Sequence, residues 1–200
     1  MFWDRVARVY DLFEKVYNGK VNRRLCIKVS EMIERNDYVL ECACGTGMLS
    51  KHIGAKCRKL IATDFSAEMI KQAKKNCKGS DNIVFKKADI MHLKCKDNTF
   101  DKVVAGNVIH LLDEPYKALK ELERVCRPSG QIIIPTYVNN ENMGKPNLFV
   151  RIIEKAGAGF KCQFTYETYQ QFFDNAGFSG IKYSIVKGKM PCAIAVITKK

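Results

Sequence analysis

The chain has 200 residues, of which 46% are hydrophobic and 10% aromatic, enough apolar material for the core of one compact domain. No apolar run approaches the roughly 18 to 20 residues that a membrane-spanning helix needs, and the N-terminal segment MFWDRVARVYDLFEKVYNGK mixes acids and bases, so we expect neither a membrane anchor nor a signal peptide. The formal net charge of +13 allows attraction to phosphate-rich or anionic membrane surfaces but says nothing about the fold.

The nine cysteines argue against a disulfide-stapled secreted domain. Their number is odd, and they are scattered through helical and strand-like segments without a secretory leader. We expect them to be mostly reduced core residues of a cytoplasmic protein. The lysines are spread over KQAKKNCK, FKKAD and LKCK, which is more typical of solvated helix and loop faces than of one organised patch.

Two helices are predicted in the first 37 residues. Apolar residues recur at helical spacing from Phe2 to Tyr17, and Asn18-Gly19 is expected to end this first helix. A second helix follows, with Val21, Leu25 and Val29 on its apolar face.

From residue 38 onward, short β-branched runs alternate with helical stretches. The runs are YVLECA, KLIATDF, NIVFKKADI, FDKVVAGNVI and QIIIPTYV. The last two runs of the chain, FSGIKYSIVKG and PCAIAVITKK, are expected to pair antiparallel. This alternation predicts an α/β fold whose sheet is mostly parallel, with helices on both faces.

The helix boundaries have recognisable start signals. Ser66 is placed to cap AEMIKQAKKNC, and Thr165 is placed to cap YETYQQFFDNA. Pro115 stands at the first position of YKALKELERVC, which Arg127-Pro128-Ser129-Gly130 is expected to stop, and Pro146 is expected to open NLFVRIIEKA.

The segment YVLECACGTGMLS raises two possibilities, a metal site and a ligand-binding turn. A metal held by Cys42 and Cys44 would need further ligands, and the sequence has no C-x-x-C pair or Cys/His cluster, so we expect both cysteines to pack and no metal to bind. Gly45 and Gly47 follow a buried strand and precede a helix, where glycine lets the backbone approach a ligand closely.

Polar residues close the predicted strands at one edge of the sheet. Glu41 and Asp64 stand at the ends of the first and second strands, Asp89 at the end of the third and Asn107 at the end of the fourth. In a sheet wound in both directions these ends meet at the topological switch point, where ligands bind, so we expect one site. An acid at the position of Asp64 suits a ribose diol.

The acidic residue beside the turn restricts the class of ligand that the site can bind. The turn lacks the G-x-G-x-x-G pattern of dinucleotide sites, and the Glu41 carboxylate beside it would repel a phosphate. The site therefore suits a ligand with an ammonium group and a ribose but no phosphate. S-adenosylmethionine fits this description.

These segments resemble the class I S-adenosylmethionine-dependent methyltransferases, most closely the UbiE-like quinone methyltransferases (methyltransferase type 11). The resemblance covers roughly residues 5 to 138, with a looser match beyond, and its motifs are LECACGTG, ATDFSAEMI, FKKADI and FDKVVAGNVIHLLDEPYKALKELERVCRPSGQIII. It implies a Rossmann-like, doubly wound, seven-stranded sheet with an antiparallel C-terminal hairpin. It also implies one methyltransferase domain over 1–200, with a helical lid at 1–37, a cofactor-binding core at 38–138, and acceptor-side helices and closing strands at 139–200.

The resemblance implies a role for individual residues at the cofactor. Contacts to the amino-acid end are implied for Glu41 and the Gly45–Gly47 turn, to the ribose for Asp64, to the adenine for Phe65, Met69, Asp89 and the Ile90 backbone, and near the methionine moiety for Asn107. Tyr10 resembles a tyrosine that covers the cofactor. Ala43, Thr46 and Ser66 belong to the same segments and complete the set. Two positions depart from the family pattern, since Ala43 replaces the usual first glycine, a small change, and Glu41 replaces the commoner Asp.

The chemistry leaves the catalytic residues open. Methyl transfer from a sulfonium is an in-line displacement with an activated leaving group, so holding the acceptor in place can suffice. His110 is interpreted as a packing or pocket-lining residue rather than a base, and Tyr137 and Asn139 are placed to touch an acceptor.

The acceptor pocket is expected between the N-terminal helix and the segment 137–164. Its expected apolar lining is Trp3, Val6, Tyr10, Phe13, Phe149 and Phe160. Such a lining favours a small-molecule or lipid-like acceptor.

Two alternatives remain. The net charge favours a nucleic-acid methyltransferase, but AGNVIH after the fourth strand lacks the Asn/Asp-Pro-Pro-aromatic sequence that grips a flipped base, so a nucleic-acid partner is disfavoured. The other alternative is a cofactor-binding protein without transfer activity. The basic charge of the protein and a lipid-like acceptor would together favour peripheral contact with an anionic membrane. The sequence does not determine the oligomeric state.

Overall fold

The structure, a computed structural model, describes residues 2–139 and 163–200, and within the first helix the side chains of residues 3, 4 and 18 onward. The helix expected after Pro146 and the pocket residues Phe149 and Phe160 lie outside the described residues. The side chains of Tyr10, Val6 and Phe13 lie outside them as well.

Helices and strands alternate along the described chain. The helices are α1 (Phe2–Glu31), α2 (Met48–Gly54), α3 (Ala67–Asn76), α4 (Pro115–Val125) and α5 (Tyr166–Asn175), with a short 3₁₀ helix at Ile109–Leu111. The strands are β1 (Tyr38–Cys42), β2 (Lys59–Asp64), β3 (Ile83–Lys87), β4 (Phe100–Ala105), β5 (Cys126–Tyr137), β6 (Lys182–Val186) and β7 (Cys192–Thr198).

The strands form one seven-stranded sheet in the order β3-β2-β1-β4-β5-β7-β6. Strand β1 pairs in parallel with both β2 and β4, whereas β7 runs antiparallel to β5 and β6. The predicted mostly parallel sheet with an antiparallel C-terminal hairpin is therefore confirmed. Because the chain proceeds outward from β1 in one direction and from β4 in the other, the gap between the carboxyl ends of β1 and β4 is the topological switch point.

Both faces of the sheet are covered by helices, as predicted. Alternate strand residues point to opposite faces, so Leu40 packs in the cluster that contains α4 and α5, and its neighbour Val39 packs in the cluster that contains α1, α2 and α3. Leu40 and Val39 are both fully buried.

The predicted start signals are confirmed where the structure describes them. The Ser66 hydroxyl accepts a hydrogen bond from the Met69 amide at 3.1 Å, and Pro115 is the first residue of α4. Thr165 and Thr168 form a reciprocal capping box at the start of α5.

The break predicted at Asn18-Gly19 is confirmed. Asn18 has non-helical dihedral angles (φ −132°, ψ 20°), so α1 consists of two helices that meet at a kink, where the buried Asn18 side-chain amide donates to the Met190 carbonyl at 3.1 Å. Helix α4 stops before Arg127 as expected, but residues 127–130 belong to β5, and Ser129 donates its backbone amide to the Lys199 carbonyl at 2.9 Å. A contact with the far end of the chain thus makes these residues part of a strand.

In the described part of the chain, every helix is either too short or too polar to span a bilayer.

A matched pair of glycines tests how α2 packs on α3. Gly47 (φ 88°) and Gly79 (φ 89°) are both left-handed, but a Cβ on Gly47 would lie 3.2 Å from the Ala73 backbone of α3, whereas one on Gly79 would meet nothing within 4 Å. We expect Gly79→Ala to lower the free energy of unfolding by about 1–2 kcal/mol through backbone strain alone. Gly47→Ala should cost about 1–3 kcal/mol more, because α3 must shift. Urea unfolding of both variants measures the difference, and equal losses would contradict this packing.

Candidate functional site

A cavity of about 330 Å³ lies at the switch point between β1 and β4. Its volume falls within the range of small-molecule sites. The residues of the expected site that line it are Glu41, Ala43, Gly45, Thr46, Asp64, Met69 and Asn107. The predicted convergence of strand ends thus brings the β1, β2 and β4 residues to one place.

The turn after β1 is built from alternate left-handed residues. Ala43 has φ 53°, Gly45 φ 54° and Gly47 φ 88°. A Cβ on Gly45 would meet no atom within 4 Å, so the turn leaves open space next to its backbone. Ala43 therefore differs from the usual glycine in more than its methyl group, because its left-handed conformation costs about 1–2 kcal/mol relative to glycine.

Asp64 ties this turn to the end of β2. Its Oδ2 accepts a hydrogen bond from the Gly45 amide at 2.8 Å, and its Oδ1 accepts one from the Ser66 amide at 2.9 Å. Each carboxylate oxygen keeps a second lone pair that can accept from a ligand hydroxyl. Burial raises the pKa of Asp64 above its usual value, although these amide hydrogen bonds oppose the shift.

Glu41 is the most deeply buried acid of the cavity, with 1% of its surface exposed. The Ser50 hydroxyl donates to its Oε2 at 2.6 Å. Burial raises the pKa of Glu41 to about 8, and the negative charge of Asp64 adds to the rise. The folded protein without a cationic ligand therefore keeps Glu41 mostly protonated at neutral pH, in contrast to the ionised carboxylate expected from the sequence.

Three residues expected at the adenine lie outside this lining. Phe65 is half exposed, with the Lys87 ammonium 5.7 Å from its ring centroid. The Asp89 carboxylate accepts from the Met91 amide at 2.9 Å, and Ile90 is buried in the core cluster of α4 and α5. The cavity thus holds the candidates for the amino-acid and ribose ends, and these three lie beyond it.

Two further expected residues also lie outside the lining and support it. Gly47 is the N-cap residue directly before α2, and Ser66 caps α3. The Ser66 hydroxyl also donates to the Asp4 carboxylate at 2.5 Å, which joins the first turn of α1 to the end of β2. Trp3, the residue before Asp4, lines the cavity. The Tyr10 side chain, expected to cover the ligand, lies outside the described residues.

Asn107 and His110 follow β4 but have different environments. Asn107 lines the cavity in a left-handed conformation (φ 52°), and its backbone N–H donates to the Pro135 carbonyl at 2.8 Å. His110 is buried outside the lining, and burial lowers its pKa to about 4, so the imidazole is neutral at pH 7. This environment favours the packing interpretation of His110 over the base.

Tyr137 at the end of β5 contacts the cavity lining, whereas Asn139 after it does not. The Tyr137 hydroxyl donates to the Asn22 side-chain oxygen at 2.8 Å, and Asn22 lines the cavity. Asn139 instead faces the start of the second described range, since its backbone amide donates to the Phe164 carbonyl at 2.8 Å.

One wall of the cavity consists of residues that were not among the expected site residues. It is formed by α1 residues Gly19, Asn22, Arg23 and Cys26, together with His52 of α2. The spacing of the α1 residues places them on one helix face, which is a sequence signal. The side chains on this face are mostly small or polar, so the sequence gives no indication that the face covers a cavity instead of meeting solvent.

Cys42 at the end of β1 and Cys44 in the following turn have different environments. Cys42 is fully buried in the core and Cys44 lines the cavity, and burial raises the pKa of both thiols. Among the side chains that the structure describes, no group of three His, Cys, Asp or Glu residues could hold a metal ion.

Comparisons with known proteins agree with this geometry. Residues 40–134 match the family model described as "Methyltransferase domain". The chain is 30% identical to the ubiquinone/menaquinone biosynthesis C-methyltransferase UbiE of Bdellovibrio bacteriovorus, over 93% of this chain and 89% of that protein. It is 27% identical to the demethylmenaquinone methyltransferase of Lactiplantibacillus plantarum, over 90% and 87% of the two chains. The crystal structure of a SAM-dependent methyltransferase from Aquifex aeolicus superposes with a TM-score of 0.64 at 26% identity, over 86% of this chain and 89% of that chain.

The raised pKa of Glu41 predicts a pH-dependent stability. A carboxyl whose pKa is higher in the folded state takes up protons on folding, so its stabilising contribution is complete below about pH 4.5 and is lost as the pH rises through about 8. Within this window the slope is at most about 1.4 kcal/mol per pH unit. Glu41→Gln removes the titration and keeps an oxygen that can accept from Ser50, so its stability relative to wild type should rise between pH 6 and pH 8. Urea unfolding of the ligand-free proteins at both pH values measures this, and a constant difference would contradict it.

Proposed function

This chain belongs to the UbiE-like class I S-adenosylmethionine-dependent methyltransferases, and we propose that it methylates a ring carbon of a quinone-type, lipid-like acceptor by in-line displacement. The observation that carries the proposal is the gathering of Glu41, Gly45 and Asp64 around one cavity at the switch point. The names of the two curated relatives supply the acceptor class.

The cavity residues fit the cofactor, group by group. Glu41 lies where a buried carboxylate would balance the ammonium group, and the open space beside Gly45 admits a ligand against the backbone. Asp64 has free lone pairs for the ribose hydroxyls. When bound, S-adenosylmethionine supplies a methyl group on a sulfonium, and the chain contributes by holding the reacting groups in line.

The proposed contacts to the adenine rest on the resemblance to the methyltransferase family and are supported by where these residues lie in the structure. Met69 lines the cavity, and the half-exposed ring of Phe65 has a free surface for an adenine. Asp89 and the Ile90 backbone follow the neighbouring strand β3. We propose that the adenine lies between these residues, beyond the cavity that holds the amino-acid end.

The acceptor side is proposed at the apolar part of the cavity lining. Trp3, Leu49, Val108 and Leu111 give this cavity apolar surface that suits a quinone-type ring. We keep the proposed division into a lid at 1–37, a core at 38–138 and acceptor-side elements at 139–200. The hydrogen-bonded pair of Asn22 and Tyr137 supplies polar groups for an acceptor oxygen.

A lipid-like acceptor also needs a route from the membrane. Lys20, Arg24 and Ile27 share one exposed face of α1, next to the cavity-lining Gly19. An exposed isoleucine flanked by cations suits the surface of an anionic bilayer, to which each cation adds about 1 kcal/mol. We propose peripheral docking of this face on anionic lipid. The cytoplasmic location expected from the sequence stays a prediction.

Replacing Asp64 tests the proposed cofactor contacts. Asp64→Asn should weaken binding of S-adenosylhomocysteine, the demethylated product, by about 1.5–3 kcal/mol, because charge-assisted hydrogen bonds to the ribose and to Gly45 are lost. Asp101→Asn is a matched control, since Asp101 also accepts a backbone amide, from Tyr38 at 2.6 Å, and lies outside the cavity lining. Titration calorimetry should show unchanged affinity for the control, and unchanged affinity for Asp64→Asn would refute the assigned role.

The acceptor is tested with a demethylated quinone embedded in vesicles. We expect mass spectrometry to detect one added methyl group on the quinone, and faster transfer with anionic than with neutral phospholipid. The advantage of anionic vesicles should fall at high salt, because the Debye length shrinks from about 10 Å at 0.1 M to about 3 Å at 1 M.

The control for this assay separates docking from chemistry. A double variant, Lys20→Gln with Arg24→Gln, should lose the stimulation by anionic vesicles and keep its rate on detergent-dispersed quinone. Methyl label that enters only RNA from a cell extract would overturn the quinone proposal in favour of a nucleic-acid acceptor.

A further inference from the structure

The charges on the cavity wall leave one part of the cofactor unmatched. Glu41 and Asp64 are both acids, and they suit the ammonium group and the ribose. The amino-acid end of S-adenosylmethionine also carries a carboxylate, which these acids would repel. A site that binds the whole amino-acid end therefore needs a cation on another wall.

Arg23 is the permanently charged cation among the described lining residues. The other basic side chain there is His52, whose pKa is lowered by burial and by the nearby Lys51, so its imidazole is neutral at pH 7. Within the described chain, Arg23 takes part in none of the ion pairs, which join other residues such as Arg124 to Glu121 and Arg127 to Asp101. Its guanidinium is therefore available to a ligand.

Arg23 is exposed and lies on the face of α1 that meets the start of α2. Cys26, almost one helical turn later on the same face, brings its Sγ within 3.8 Å of the Met48 carbonyl at the start of α2. Met48 directly follows Gly47, the last residue of the turn. Arg23 and Gly45 thus line the same cavity from two elements, one from the helix and one from the turn.

We propose that Arg23 binds the α-carboxylate of S-adenosylmethionine, and that this pair makes the site selective for a cofactor with an intact amino-acid end. The inference rests on the proposed cofactor site and adds a specificity-determining residue to it. A guanidinium matches a carboxylate with two parallel hydrogen bonds, a geometry that lysine cannot reproduce. The two charges of the amino-acid end would then meet opposite charges on two walls, Glu41 on one and Arg23 on the other.

The test combines a change in the protein with a change in the ligand. Titration calorimetry compares S-adenosylhomocysteine with its decarboxylated form, which keeps the ammonium group and lacks the carboxylate. Arg23→Met should lower the affinity for S-adenosylhomocysteine roughly 10- to 100-fold and leave the affinity for the decarboxylated form unchanged. Arg23→Lys should lie between wild type and Arg23→Met for the first ligand, because it keeps the charge and loses the paired geometry.

The controls separate this contact from a general effect of charge or of helix position. Lys28→Met removes a cation from the same helix, outside the cavity lining, and should change neither affinity. Equal weakening of both ligands by Arg23→Met would show that Arg23 only positions α1, and no weakening of either would remove it from the site. Either result overturns the inference and leaves the proposed function standing. Failure of the wild-type protein to bind S-adenosylhomocysteine would overturn both.

Discussion

The hydrogen bond from the Gly45 amide to the Asp64 carboxylate is the contact on which the site depends. It joins the turn after β1 to the end of β2, and so fixes the backbone at the switch point of the sheet. The same carboxylate receives the Ser66 amide, and Ser66 in turn caps α3 and holds the first turn of α1 through Asp4. One side chain thus sets the relative positions of the turn, of α3 and of the start of α1.

The cost of this arrangement is the burial of two acids in one cavity. Burial raises the pKa of both Glu41 and Asp64, and the charge of Asp64 raises that of Glu41 further. A ligand that carries positive charge stabilises the ionised form of Glu41, so its binding is linked to release of a proton. A phosphorylated ligand has no such effect. The same burial that weakens the ligand-free protein at high pH therefore favours a sulfonium compound with an amino-acid end.

Helix α1 combines structural and functional roles. Its Val21, Leu25 and Val29 pack against the sheet, whereas Gly19 and Arg23 line the cavity. The kink at Asn18 lies between this part and the first turn, where Trp3 reaches the same cavity. A single helix can hold a position in the core and still supply one wall of the site, because its faces are distinct.

The sequence by itself determined the alternation of strands and helices, the mostly parallel sheet with its antiparallel C-terminal hairpin, the helix caps and the position of the glycine turn, because these follow from local patterns of periodicity and turn chemistry. It also placed Glu41, Asp64 and Asn107 at strand ends that meet. Only the tertiary structure decided the protonation of Glu41, the inclusion of residues 127–130 in β5, and the position of Arg23 on the cavity wall. Each of these depends on burial and on distances between residues far apart in the chain, which no local pattern encodes.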